Sequence, residues 1–142
     1  MGPKISYEVQ FTIEGGDFSK AGSVSSNVKR ILKEIGIPPD KIKRAVIISY
    51  EAEVNVVSYA YRGRFNLSIT PELIHIVVDD EGPGIEDIEL AMQEGYSTAN
   101  ERIREMGFGA GMGLPNIKKN SDRLDIQSWV GKGTRVSAEV FL

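Results

Sequence analysis

The chain has 142 residues, 41% of them hydrophobic and 26% charged, with a formal net charge of −3. That is the composition of one globular domain, residues 1–142, large enough to bury a core, and its acidic balance argues against a nucleic-acid backbone as partner. Absent cysteine excludes disulfides and thiolate metal sites, and a lone His75 cannot build a zinc centre or a Ser/His triad. Met1-Gly2-Pro3-Lys4-Ile5 shows no signal pattern and no apolar run could span a bilayer, so a cytoplasmic protein without membrane contact is expected.

Ile5, Tyr7, Val9, Phe11 and Ile13 alternate with polar residues, the period of a strand with one buried face, and Gly15-Gly16 ends it. Asp17 or Ser19 is placed to cap a helix whose Val24, Val28, Ile31, Leu32 and Ile35 form one stripe; Gly36 stops it and Pro38-Pro39 turns the chain. Residues 40–61 contain strand-favouring runs such as Val46-Ile47-Ile48. Some twenty residues without a turn former nevertheless far exceed the usual strand of roughly 5–6 residues, so one long helix capped at Asp40 is expected. Its Glu51, Asn55 and Tyr59 then share a face.

Phe65-x-Leu67-x-Ile69 and Leu73–Val78 read as an antiparallel hairpin turned by Pro71-Glu72. Asp79-Asp80-Glu81-Gly82-Pro83-Gly84-Ile85 closes the second strand, and a short helix is expected from Glu86 to about Gln93. Residues 94–110 are polar, with little periodicity, and read as a lid or binding loop. A helix from about Gly111 to Ser121 follows, then strands Leu124–Val130 and Thr134–Phe141 around Gly131-Lys132-Gly133. The order β-α-α-β-β-α-lid-α-β-β predicts an α/β (α+β) two-layer sandwich: a mixed, mostly antiparallel sheet with helices on one face.

Three clusters carry chemistry. In Glu51-Ala52-Glu53-Val54-Asn55, a Glu and an Asn inside a mostly apolar helix are costly unless satisfied. They lie either on an exposed edge or in a site, with Asn55 an uncharged oxygen ligand for Mg²⁺ and Glu51 a base for an attacking hydroxyl. At a strand end, the Asp80 carboxylate can accept a hydrogen bond from the exocyclic amine of adenine and would reject guanine, while Gly82 and Gly84 let base and sugar approach the backbone. In Gly107-Phe108-Gly109-Ala110-Gly111-Met112-Gly113-Leu114, alternate glycines free backbone N–H groups to converge on an anion at a helix start. The same run also suits a plain surface loop. It matches neither the dinucleotide fingerprint nor a Walker A loop.

The order and separation of these clusters resemble the GHKL (Bergerat-fold) ATPases. The N, G1 and G2 boxes of that superfamily correspond to Glu51/Asn55, Asp80-Gly82-Gly84 and Gly109-Gly111-Gly113, and Gly131-Lys132-Gly133-Thr134 is similar to its last element, where a Thr helps bind the base. Met92–Ala99 and Arg104–Asp122 further resemble the small anti-sigma regulatory serine/threonine kinases, with the RsbT-like switch kinases of bacterial stress signalling the nearest likeness.

The resemblance implies ATP and Mg²⁺ as cofactors, with Asn55 holding the metal and Glu51 catalytic. Asp80, Gly82, Gly84, Ile85 and Thr134 would surround the base, and Gly109, Ala110, Gly111, Met112, Gly113 and Leu114 would wrap the phosphates. It implies a STAS-domain protein as the phosphorylated partner, with a PP2C-type phosphatase or a sigma factor as further partners. Two departures stand out: Ser58 occupies the place where histidine kinases carry Lys, and Gly109-Ala110 stands where the sporulation anti-sigma branch has Arg. Arg102 and Arg104 in the lid are either substitutes at the γ-phosphate or solvated charges. Against the kinase stand an ATP-gated binding module and a histidine-kinase catalytic domain without its dimerisation helices. The sole histidine falls in a strand, which argues against a phosphoacceptor helix.

Overall fold

A computed structural model describes residues 6–95 and 112–142. In chain order the elements are β1 (Tyr7–Glu14), α1 (Ser23–Ile35), α2 (Pro39–Tyr59), β2 (Arg62–Ile69), β3 (Leu73–Glu81), α3 (Ile88–Ala91), α4 (Gly113–Asn120), β4 (Arg123–Trp129) and β5 (Gly133–Phe141). The strands form one sheet in the order β1-β2-β3-β5-β4. The result is an α/β sandwich, the expected fold class.

The expected parallel component is absent among the described strands, because all four pairings are antiparallel. β3 and β4 do run in the same direction, since the segment between them returns the chain to the starting end of β3. The hairpin partner β5 then inserts between the two and pairs with both.

One face of the sheet is covered and the other is polar. Phe65, Leu67, Ile74, Ile76, Val78, Val136, Ala138 and Val140 point inward against Val28, Ile31 and Leu32 of α1, Ala45, Ile48 and Val56 of α2, and Ile117 of α4. On the opposite face His75 Nε2 lies 2.7 Å from Ser137 Oγ, an ordinary cross-strand contact. Thr70 Oγ1 accepts from the Glu72 and Leu73 N–H groups, which tightens the Pro71-Glu72 turn. Arg44 of α2 reaches Asp122 at 3.0 Å and donates to the Asn120 carbonyl, fixing the turn between α4 and β4 against the helix layer.

Both expected helix caps move. Asp17 leads into a short 3-10 turn at Phe18–Lys20, with Ser19 Oγ donating to Asp17 Oδ1, and α1 begins only at Ser23 after Gly22. Gly22 offers no side chain to the orphan N–H groups. A residue far along the chain supplies the acceptor: Glu53, 1% exposed, takes the Val24 and Ser25 N–H groups on its two carboxylate oxygens, each at 3.2 Å. For α2 the cap position is Pro38, with Pro39 at the first helical position and Asp40 in the first turn, where proline's fixed φ and an acid both favour a helix start.

Glu53 therefore joins the start of α1 to the middle of α2 by a buried pair of hydrogen bonds. Glu53→Ala is expected to cost about 2–4 kcal/mol of stability through lost hydrogen bonds and a residual cavity. The check is the urea midpoint of the variant. A midpoint equal to that of the parent chain would mean that the cap contributes nothing.

Candidate functional site

α2 carries two different tasks on its two sides. Ala45, Ile48, Ala52 and Val56 face the core, while Glu51, Asn55 and Tyr59 recur every four residues and line a cavity of about 910 Å³. The far wall comes from the end of β3 with Asp80, the turn holding Gly84 and Ile85, the start of α4 with Met112, Gly113 and Leu114, and Thr134 of β5. Asn55, Asp80 and Gly113 thus open onto one cavity from three distant parts of the chain.

At one end Gly113 sits directly on α2. A methyl group there would lie 2.9 Å from Asn55 Oδ1 and 3.3 Å from Glu51 Oε2, so a side chain at this position would push the ends of both aside. Among the described residues α4 has no side-chain cap, and Gly113 and Leu114 carry the backbone N–H groups of its first turn, Pro115 having none, at a helix end that favours an anion. Burial pushes the Glu51 carboxyl above its ordinary value, opposed by a hydrogen bond from Asn116. A partly desolvated carboxylate with a raised pKa beside an anion-binding helix start suits proton abstraction.

At the other end Thr134 donates its N–H to Asp80 Oδ1 at 3.0 Å. Burial raises the Asp80 pKa, the Thr134 hydrogen bond lowers it, and neighbouring Asp79 raises it again. Several glycines make this corner possible. A methyl at Gly133 would stand 1.9 Å from the Asp80 carbonyl oxygen, and Gly84, at φ +76°, would meet the Trp129 carbonyl oxygen at 2.5 Å. Gly82 is placed differently: it donates to the Lys132 carbonyl and packs on Ala60 behind the cavity wall.

Ala110, Gly109 and Gly111, Arg102 and Arg104, and the lid apart from Glu94 and Gly95 lie outside the described residues. The helix after the lid begins at Gly113 in the described part, and Lys119 pairs with Glu94 across its outer side. Among the described residues no three His, Asp or Glu side chains converge as a metal cage. Asn55 nevertheless offers an amide oxygen in the cavity beside a carboxylate. That donor set fits Mg²⁺, which keeps phosphate oxygens and waters as most of its ligands. Ser58 Oγ, on a residue of the cavity wall, is buried without a hydrogen-bond partner among the described residues, and it stands where a Lys would have placed a cation.

Sequence reasoning missed Asn116 and Ser128. Asn116 lies three residues after Gly113 and so points back along the same face of α4, a spacing that could have exposed it. Ser128 pairs with Thr134 across the β4–β5 hairpin, which required the register.

A model of the histidine kinase-like ATPase domain matches residues 18–140, nearly the whole chain. The chain belongs to this family. Membership in the histidine kinase-like ATPases implies that the chain binds ATP. Among its relatives the chain is 29% identical to the serine/threonine-protein kinase RsbT of Bacillus subtilis over 114 residues, covering 78% of this chain and 80% of that protein. It is 38% identical over 91 residues to an anti-sigma F factor of Caldanaerobacter subterraneus, covering 61% of this chain and 60% of that protein.

The fold is shared with a chain in the crystal structure of the SiaB-SiaC complex from Pseudomonas aeruginosa, at a TM-score of 0.65 and 12% identity over 97% of this chain and 90% of that one. Among the described residues no helix is long and apolar enough to cross a membrane.

Proposed function

We propose that this histidine kinase-like ATPase is a protein serine/threonine kinase of the cytoplasm that phosphorylates a STAS-domain partner in a bacterial partner-switching circuit. The observation that carries the reading is the placement of Glu51 beside Asn55 and the glycine start of α4 in one cavity, with burial raising the Glu51 pKa. A module that only bound ATP would have no use for a base at that position. The names of the relatives supply the protein-kinase and anti-sigma context.

Asp80 accepts from the adenine amine, and its own Thr134 hydrogen bond holds it in place. The first-turn N–H groups of α4 and the glycine loop that precedes it receive the phosphates. Asn55 would hold Mg²⁺, which neutralises phosphate charge when bound. Glu51 takes the proton from the acceptor hydroxyl as that oxygen bonds to the γ-phosphorus. The bond from the γ-phosphorus to the β–γ bridging oxygen breaks, and ADP leaves with the electron pair.

The rival reading, an ATP-gated binder of a sigma factor or an activator of a PP2C-type phosphatase, draws on the anti-sigma F relatives. One assay separates the two. The chain is mixed with candidate STAS proteins and γ-labelled ATP, alongside Glu51→Ala and Asn55→Ala. Label on a serine or threonine of the partner, lost in both variants, is the expected outcome. Complex formation without label would favour the binder, and label unaffected by either substitution would overturn the site assignment.

A further inference from the structure

The helix layer has a second groove that the chemistry of the cavity does not use. Lys29 and Lys33 stand one turn apart on α1, and Lys43 lines the same groove of about 460 Å³ from α2. Ile37, Ile42 and Val46 form its apolar part. Ile37 is brought there by the end of α1: left-handed Gly36, at φ +91°, turns the chain back, and the Ile37 N–H donates to the Leu32 carbonyl.

Charge and shape both describe what the groove would hold. All three lysines are exposed, and none has an ion pair or hydrogen bond among the described residues. Glu34, next to Lys33, is taken by Arg30 at 3.3 Å, and Asp40 belongs to the first turn of α2. Like charges four residues apart on a helix repel. Three unpaired cations around one groove also run against a chain whose net charge is −3. An occupant bearing carboxylates would relieve that repulsion. The apolar residues are recessed: Ile42 is 7% exposed, and Ile37 and Val46 are partly buried. A bilayer is entered by apolar side chains that project, so a recessed floor under a rim of ammonium groups suits a narrow occupant that brings its own apolar side chains inward.

The groove also leads somewhere. Lys43, Val46 and Tyr50 follow one another at three and then four residues, along one side of α2. Tyr50, 38% exposed, lines the rim of the nucleotide cavity next to Glu51, and its ring lies 3.8 Å from where a Gly22 methyl would stand at the start of α1. From Pro39 to Tyr50 the axis of α2 runs about 17 Å, the length of a three-turn helix.

We propose that the α1–α2 groove docks an acidic amphipathic helix of a protein partner. Its apolar stripe lies on Ile37, Ile42 and Val46, its carboxylates meet Lys29, Lys33 and Lys43, and the segment that adjoins it arrives at the cavity rim by Tyr50. The docking does not depend on the chemistry in the cavity. That the docked partner is the phosphoryl acceptor rests on the kinase reading.

The test uses the whole chain and three probes. One is a fluorescent helical peptide of about 18 residues with leucines every third or fourth position flanked by glutamates. The second carries lysines for those glutamates, and the third is a vesicle of phosphatidylglycerol and phosphatidylcholine. The acidic peptide alone is expected to bind, less tightly as salt rises from about 0.05 M to about 0.5 M. Combined Lys29→Glu, Lys33→Glu and Lys43→Glu should weaken it by about tenfold or more, and Val46→Ser by about threefold to tenfold. ATP affinity by calorimetry should stay within about twofold in both variants, which also shows that they fold. With a STAS partner that accepts label, the charge-reversed chain should show KM raised about tenfold and kcat unchanged. No binding of the acidic peptide, equal binding of the lysine peptide, or binding indifferent to either variant would overturn the docking site. Vesicle binding without peptide binding would overturn it in favour of a lipid surface. Peptide binding by a chain that transfers no label would leave the groove standing and remove the kinase reading. Label transfer with KM unmoved by charge reversal would do the opposite for the acceptor.

Discussion

Glu51→Gln is expected to slow phosphoryl transfer to a protein acceptor by a factor of about 10²–10⁴, the range that positioned general bases supply. ATP affinity should hold within about threefold, because Gln keeps the shape and the Asn116 contact while losing only the ability to take a proton. Single-turnover transfer and calorimetry on the same preparation separate the two quantities. Because burial holds the Glu51 pKa above 4.5, the acid limb of the parent rate profile should lie above that of an unburied Glu and be missing from the residual activity of the variant.

The same shift has a stability consequence of opposite sign. A carboxyl whose pKa is raised on folding binds more protons folded than unfolded, so stability declines as pH rises from the unfolded value toward the folded one and stays lower above it. Glu51→Gln should therefore be more stable than the parent at pH 7, with a gap that shrinks as pH falls through the raised folded value toward 4.5 and stays closed below it. Thermal unfolding across that range measures it, and a gap that widened toward acid would contradict the burial argument. A group whose charge is disfavoured by the fold yet retained in the cavity is the usual trade of stability for activity.

Asp80→Asn is expected to weaken ATP binding by about 10–150-fold, the worth of a buried hydrogen bond to a charged acceptor. The amide keeps the volume but can turn its NH₂ toward the adenine amine, placing donor against donor, and it accepts the Thr134 N–H less strongly. Affinity for a 6-oxopurine triphosphate should fall less or rise, because that base offers an acceptor to the new NH₂. Equal losses for both bases would mean that Asp80 supports the β3 end without reading the ligand.

Much of this architecture could be read from the residues because several signals agreed. The long helix over residues 40–61 followed from length and absence of turn formers, and the structure places it at Pro39–Tyr59 with Glu51 and Asn55 on its cavity side. Asp80 was conspicuous as an acid at the end of an apolar strand. The missing parts depend on contacts between residues far apart in the chain. The α1 cap could not be read because its acceptor, Glu53, lies 28 residues beyond Ser25. The all-antiparallel sheet could not be read because the strand order turns on β5 inserting between β3 and β4, which no local pattern records. Ser128 became visible only once the hairpin register set it opposite Thr134.

The insertion of β5 also imposes an order of events on synthesis. Thr134 and the strand that flanks Asp80 are made more than fifty residues after Asp80 itself. On the ribosome, α1, α2 and the β1–β3 meander can pair while the cavity still lacks the wall that holds Thr134. A ligand that needs both walls of that cavity finds no complete site during these early steps. It can only lock in a domain whose last strand has already slid home.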